Sequence, residues 1–152
     1  MISLKKSGKS LLSESPPKPP TELRSRIMRA VGSRGTSLEM IVRAEIRQMG
    51  LRMRFNAPYL PGKPDIAIHS KKLAIFVHGC FWHGHRCKRG ARVPKMNADY
   101  WTAKIARNRA RDRRNAALLR KIGWTVVTIW ECDSAATRTQ KLRLLTATQV
   151  TA

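Results

Sequence analysis

Ten consecutive residues, His78-Gly79-Cys80-Phe81-Trp82-His83-Gly84-His85-Arg86-Cys87, hold three of the chain's four histidines and two of its three cysteines. They directly follow Leu73-Ala74-Ile75-Phe76-Val77, an apolar run of strand length. That junction constrains the fold more than any other feature. Cys80, His85 and Cys87 have the spacing C-x4-H-x-C, three ligands for one ion, and a structural zinc takes four. Cys132 is the remaining cysteine, and it stands just past a second apolar run, Thr125 to Trp130. If the two runs are neighbouring strands, Cys132 completes a Cys3His set. Three free thiols beside unrelated histidines is the alternative reading. An odd cysteine count argues against a pure disulfide framework and for a reducing compartment.

Charge narrows the partners. The 152 residues carry 31 Lys+Arg against 9 Asp+Glu, a net charge of +22. Such an excess implies a polyanion, either nucleic acid or anionic lipid. Thirteen of the basic residues and only two acids, Asp99 and Asp112, fall between Arg86 and Lys121. This run is either a solvated helix face or a phosphate-contacting surface. No apolar stretch approaches the ~20 residues that span a bilayer. The basic N-terminus lacks the apolar core of a secretory signal. The expectation is a cytoplasmic protein that meets nucleic acid, with no membrane role.

The chain is long enough for one domain with a real core. Residues 1–20 are Ser-, Lys- and Pro-rich, ending in Pro16-Pro17-Lys18-Pro19-Pro20, and read as a flexible basic arm. Residues 21–152 are the expected single domain. A short helix is predicted over Thr21 to Val31, broken by Gly32-Ser33-Arg34-Gly35. Thr36 and Glu39 form a capping box for a second helix, with Leu38, Ile41, Val42, Ile46 and Met49 on its apolar face and Gly50 at its end. Strands are predicted over Leu51–Ala57, Asp65–Ile68, Leu73–Val77 and Thr125–Trp130. A long basic helix starts at Asn97 or Asp99 and runs to about Ile122, with Trp101, Ile105, Ala116, Leu119 and Ile122 inward. A last helix covers about Ser134 to Leu145. The order of elements is that of an α/β fold, a small central mixed β-sheet flanked by helices.

Chemistry-bearing residues stand out against this layout. Asp65 follows the Pro58–Pro64 loop and starts a strand, so its carboxylate sits on rigid backbone. It is either a turn aspartate or a ligand for Mg2+, which takes few protein oxygens. Glu39 is already accounted for by the capping box. His83 is left over once Cys80, His85, Cys87 and Cys132 fill a zinc site, and a spare histidine there suits a general base. His78 ends the central strand, within reach of a phosphate. Asp112, inside Arg111-Asp112-Arg113-Arg114, either orients a histidine or pairs with its arginine neighbours. Phe81, Trp82 and Trp101 are candidates to wedge between base steps, although Trp101 equally fits the inward stripe of its helix. His69 has no visible partner.

The string F-V-H-G-C-F-W-H-G-H-R-C, preceded by L-P-G-K-P-D and followed by Tyr100-Trp101, Asn108, R-D-R-R and W-E-C, resembles the very short patch repair (Vsr) DNA mismatch endonucleases from about Arg24 to Asp133. The resemblance implies a restriction-endonuclease-like fold with a structural Zn2+ on Cys80, His85, Cys87 and Cys132. It implies Mg2+-dependent nicking of double-stranded DNA 5′ of the thymine in a T·G mismatch left by deamination of 5-methylcytosine. By position, Asp65 matches the metal-binding aspartate and Val77 the residue that offers its carbonyl to that metal. His83 matches the catalytic base, Asp112 its orienting acid, His78 the phosphate-side histidine, and Glu39 an acid near the metal waters. Phe81, Trp82 and Trp101 match the intercalating aromatics, and Asn108 belongs to the same DNA-facing set. Val77 replaces a common threonine, and Gly84 and Arg86 stand where relatives often carry histidine. A monomer is expected, with other mismatch repair proteins as a further partner class.

Two rivals remain at this stage. A nuclease of the same fold would need no mismatch. A non-catalytic zinc-stabilised DNA-binding protein would keep the cysteines, aromatics and charge but have no use for Asp65, His83 and Asp112 together. A zinc deaminase is disfavoured, because no H-x-E with a later P-C-x-x-C is present.

Overall fold

The computed structural model describes residues 36–147. The expected arm over residues 1–20, the helix Thr21 to Val31 and its glycine break lie outside the described residues. Within them the order is α1 (Ser37–Gln48), β1 (Arg54–Phe55), β2 (Ile66–Ile68), a 3-10 turn (His69–Lys71), β3 (Leu73–His78), α2 (Ala98–Lys121), β4 (Thr125–Trp130) and α3 (Ala135–Ala147).

Helix α1 starts where the capping box places it. The Glu39 N–H donates to Thr36 Oγ1 at 3.2 Å, satisfying one of the amides that a helix start leaves unpaired. Val42 and Ile46 are fully buried. Ile41, predicted on the same face, is 45% exposed, because the buried stripe is narrower than the apolar one.

The sheet order is β1-β2-β3-β4. The first two pairings are antiparallel, and β3 and β4 are parallel. A parallel pair needs a long crossover, which α2 supplies. Central β3 is buried on both faces, which is why its sequence is apolar without alternation. Its Leu73 and Ile75 join Ile66, Ile68, Val127 and Ile129 in the core beneath α1 and α3. Ala74 and Phe76 face the other way, toward Leu119 of α2.

Three boundaries differ from expectation. The strand predicted over Leu51–Ala57 reduces to Arg54–Phe55, both exposed. Asn56 takes φ of 46°, which ends the regular ladder, although the Asn56 and Ala57 N–H groups still donate to the Asp65 and Pro64 carbonyls. Leu51 and Met53 still pack against the core. Ile122 is 52% exposed, since α2 stops at Lys121 and Gly123 takes φ of 82° just beyond. That left-handed glycine lets the Trp124 N–H return to the Leu119 carbonyl at 3.0 Å, as in a helix C-terminal cap. Helix α3 extends to Ala147. No helix among the described residues is long and apolar enough to cross a membrane.

Candidate active site and metal cluster

The parallel register puts His78 opposite Trp130. Two residues beyond each strand end stand Cys80 and Cys132, so the pairing brings the distant cysteine to the ligand loop. Cys80, His85, Cys87 and Cys132 gather with one ligand atom each, all within 4.8 Å of one another. Cys132 Sγ lies 3.4 Å from His85 Nδ1. Tetrahedral coordination at ~2.0–2.3 Å per ligand requires separations of this size. The donor chemistry points the same way. Burial pushes the Cys80 thiol up to about 12, while its contact with His85 pulls Cys87 down to about 6. Three sulfurs this close do not all ionise without a cation among them. Glu131, which sequence reasoning missed, braces the loop: it accepts from the Cys80 N–H at 3.3 Å and pairs with Arg89 at 2.5 Å. Its position beside Cys132 is the signal that could have found it.

The loop lies along one side of α2. Gly84 has φ of 59°, and a Cβ there would meet Ile105 Cγ2 at 2.7 Å, so only glycine allows this approach. Asn108 Nδ2 donates to the Trp82 carbonyl at 2.9 Å. His83 Nδ1 meets Asp112 Oδ2 at 2.6 Å. The arginine neighbour is a weaker partner of Asp112, at 3.6 Å. Burial alone would raise the Asp112 carboxyl, but the hydrogen bond and charge of His83 prevail and hold it below its ordinary 3.8. A face of the His83 ring covers His78, which is buried. Desolvation, and then the neighbouring His83, lower His78 to about 3, so it is a neutral imidazole at physiological pH.

The three aromatics cluster with one another. Trp101 packs against Phe81 at 5.9 Å and Trp82 at 5.8 Å between ring centroids. Trp101 is only 5% exposed, so in this conformation it is the floor on which the half-buried Phe81 and Trp82 rest. Lys104, one helical turn on, holds its ammonium 5.2 Å from the Trp101 ring and 5.7 Å from that of Trp82. That i,i+3 spacing on α2 was readable in the sequence once Trp101 was fixed.

Asp65 sits on the far side of β3 from β4. The pairing of β2 with β3 ends at Ile66 opposite Ile75, leaving the next stretch of β3 without a strand neighbour on that side. Asp65 Oδ2 fills the gap by accepting the Val77 N–H at 2.7 Å. The N–H and C=O of one strand residue point to the same edge, so the Val77 carbonyl faces this side too. Burial raises the Asp65 carboxyl, the Val77 N–H opposes this, and the negative charge of buried Glu39 raises it further. Glu39 also pairs with Arg43 at 3.4 Å. Two carboxylates and a backbone carbonyl at one strand end form an oxygen set suited to a hard divalent cation, which would relieve their repulsion. Asp65 also feels the charge of His83, so both halves of the site share one end of the sheet.

A mixed sheet flanked by helices, with a Cys/His cluster fit for zinc at the end of its parallel pair, defines a restriction-endonuclease-like α/β protein. The family model for the DNA mismatch endonuclease Vsr matches residues 19–89. The chain is 46% identical over 112 residues to the type II nicking enzyme V.XorIIP of Xanthomonas oryzae pv. oryzae, covering 74% of this chain and 82% of that one. It is 42% identical to V.NmeAIP of Neisseria meningitidis, covering 74% of this chain and 80% of that one. It is 39% identical to the DNA mismatch endonuclease Vsr of Escherichia coli, covering 72% of this chain and 69% of that one. The chain belongs to the Vsr family of DNA mismatch endonucleases.

Proposed function

We propose that this protein nicks double-stranded DNA 5′ of the thymine in a T·G mismatch. The observation that carries the reading is the His83–Asp112 hydrogen bond, 2.6 Å long, at the same sheet end as Asp65. Asp65 and the Val77 carbonyl would hold Mg2+, with Glu39 beside them. Bound there, the ion supplies charge stabilisation at the phosphate oxygens. His83 takes the proton of the attacking water on its outer nitrogen, because its Nδ1–H is committed to Asp112. Ionised Asp112 then faces the imidazolium that forms. Neutral His78 supports the His83 ring and offers at most a hydrogen bond, not a charge, to the phosphate.

Cys80, His85, Cys87 and Cys132 would hold zinc, which fixes the loop bearing Phe81 and Trp82 and does no chemistry. Those two rings are the wedge elements, while Trp101 supports them and enters the stack only if the cluster opens. Asn108 sets their position through the Trp82 carbonyl.

The test is incubation with Mg2+ and duplexes that differ only by T·G versus C·G at one position. Nicking restricted to the T·G strand supports the reading. Equal nicking of both duplexes favours a nuclease that needs no mismatch. No nicking of either leaves a DNA-binding protein.

A further inference from the structure

Behind His83 the structure opens into a cleft of about 480 Å³ between the second half of α2 and the outer strand β4. Its size is within the range of small-ligand sites, roughly 300–1,000 Å³. The floor is apolar and partly aromatic: Phe76, Val126, Trp130 and the Ala116 methyl. The rim is cationic, with Arg109, Arg113 and Arg120 all exposed. None of the three has a carboxylate partner within 4 Å among the described residues. The one acid in the lining, Asp112, is committed to His83. Ala116 contributes only a methyl group to the gap between α2 and β4. His78, His83 and Asp112 form its inner wall, so the cleft adjoins the residues given catalytic roles above, while its remaining lining has no role there.

An apolar, partly aromatic wall beside unpaired guanidiniums suits a ring that carries negative charge. We propose that this cleft binds a single unstacked nucleotide, its base against Phe76, Val126 and Trp130 and its phosphate on Arg109, Arg113 and Arg120. A free nucleoside 5′-monophosphate and an unpaired nucleotide of a bound strand share this chemistry. The cleft opens beside His83, so a strand whose phosphate lies at that histidine has a neighbouring nucleotide within reach. Only this strand-borne source rests on the DNA-nicking reading.

The test is calorimetric titration of the full chain with thymidine 5′-monophosphate, thymidine, inorganic phosphate and hexaglutamate. The monophosphate should bind at least tenfold tighter than each of the other three. Ala116→Phe, which places a ring in the cleft, should weaken it at least tenfold, and so should Arg113→Ala at an exposed position. Melting curves separate a filled cleft from a lost fold, and Arg113→Ala decides the matter if Ala116→Phe does not fold. A duplex with one unpaired thymidine then distinguishes the sources. Tighter binding than to intact duplex, abolished by Ala116→Phe, assigns the cleft to a strand-borne nucleotide. Monophosphate binding without that difference assigns it to a free nucleotide. Phosphate binding as tightly as the monophosphate, hexaglutamate binding better, or well-folded variants that bind like wild type each overturn the proposal. Nicking retained without monophosphate binding sinks the cleft alone. Monophosphate binding without nicking of any duplex sinks the nuclease reading alone.

Discussion

His83 lies flat on His78, with ring centroids 3.6 Å apart and planes 7° from parallel. Asp112 fixes the edge of the same ring and His78 its face, so the imidazole is held in two directions. Asp112→Asn keeps a neutral partner but loses the charge that stabilises an imidazolium. Turnover should fall by about 10²–10⁴-fold, the usual worth of general base catalysis, with zinc content unchanged. A turnover within threefold of wild type rules out the orienting role.

The same variant gives a stability test whose sign is fixed. Asp112 has a lowered folded value, so its contribution is present above the unfolded value of 3.8 and is lost as pH falls through the folded one. Asp112→Asn should therefore be less stable than wild type at neutral pH, by about 1 kcal/mol for a partly exposed pair. The gap should close only below pH 3.8. Denaturant melts at pH 7 and pH 3 read it directly.

Asp65→Asn should abolish nicking and leave DNA affinity largely intact. Removing a carboxyl crowded by Glu39 should also leave the fold no less stable. Single-turnover assays and a melting curve without metal check both. Turnover within tenfold of wild type contradicts the metal-ligand assignment.

Gly90 offers a way to break the metal cluster without touching a ligand. A Cβ there would sit 2.2 Å from the His85 carbonyl oxygen and 2.8 Å from that of Cys80. Gly90→Ala should lose zinc much as Cys132→Ala does, and with it much of the fold, since such sites are worth about 10 kcal/mol or more. Elemental analysis of the purified variants is the check. About one zinc per chain in Gly90→Ala contradicts this packing.

Trp82 and Trp101 should respond differently. Trp101→Ala empties a buried site and should cost about 3 kcal/mol of stability. Trp82→Ala should leave melting nearly unchanged and weaken mismatched DNA by ~1–3 kcal/mol, more than matched DNA. Paired titrations and melts distinguish the two. Equal loss on both duplexes makes Trp82 structural. Wild-type binding should meanwhile weaken with salt at a log–log slope near −5 if about six phosphates are neutralised.

Much of this site could be read before any coordinates. Thr36 and Glu39 fix where α1 begins, and Gly123 where α2 ends, because those signals are local. The place of Cys132 in the Cys/His cluster was legible because two apolar runs in one sheet leave few places for their ends. Ile41 and Ile122 were misplaced because helical spacing gives an apolar stripe but not the angle at which it meets the sheet. Trp101 could not be settled, since burial there depends on how the ligand loop folds back across α2. The i,i+3 spacing places Lys104 beside Trp101, but its contact with Trp82 and the Glu131 bond to the Cys80 amide join parts of the chain that no spacing rule brings together.

The parallel pairing of β3 with β4 has a consequence for how the molecule is made. Cys80, His85 and Cys87 leave the ribosome together, but Cys132 follows only after the whole of α2. If the first three bound an ion early, one coordination position would stay open until β4 docks. The Cys132 bond would then tie a ring through strand, helix and strand. Closing so long a ring removes a large share of the unfolded chain's freedom. The ion would therefore act as a late clasp, and stripping it should accelerate unfolding of the β3-α2-β4 unit.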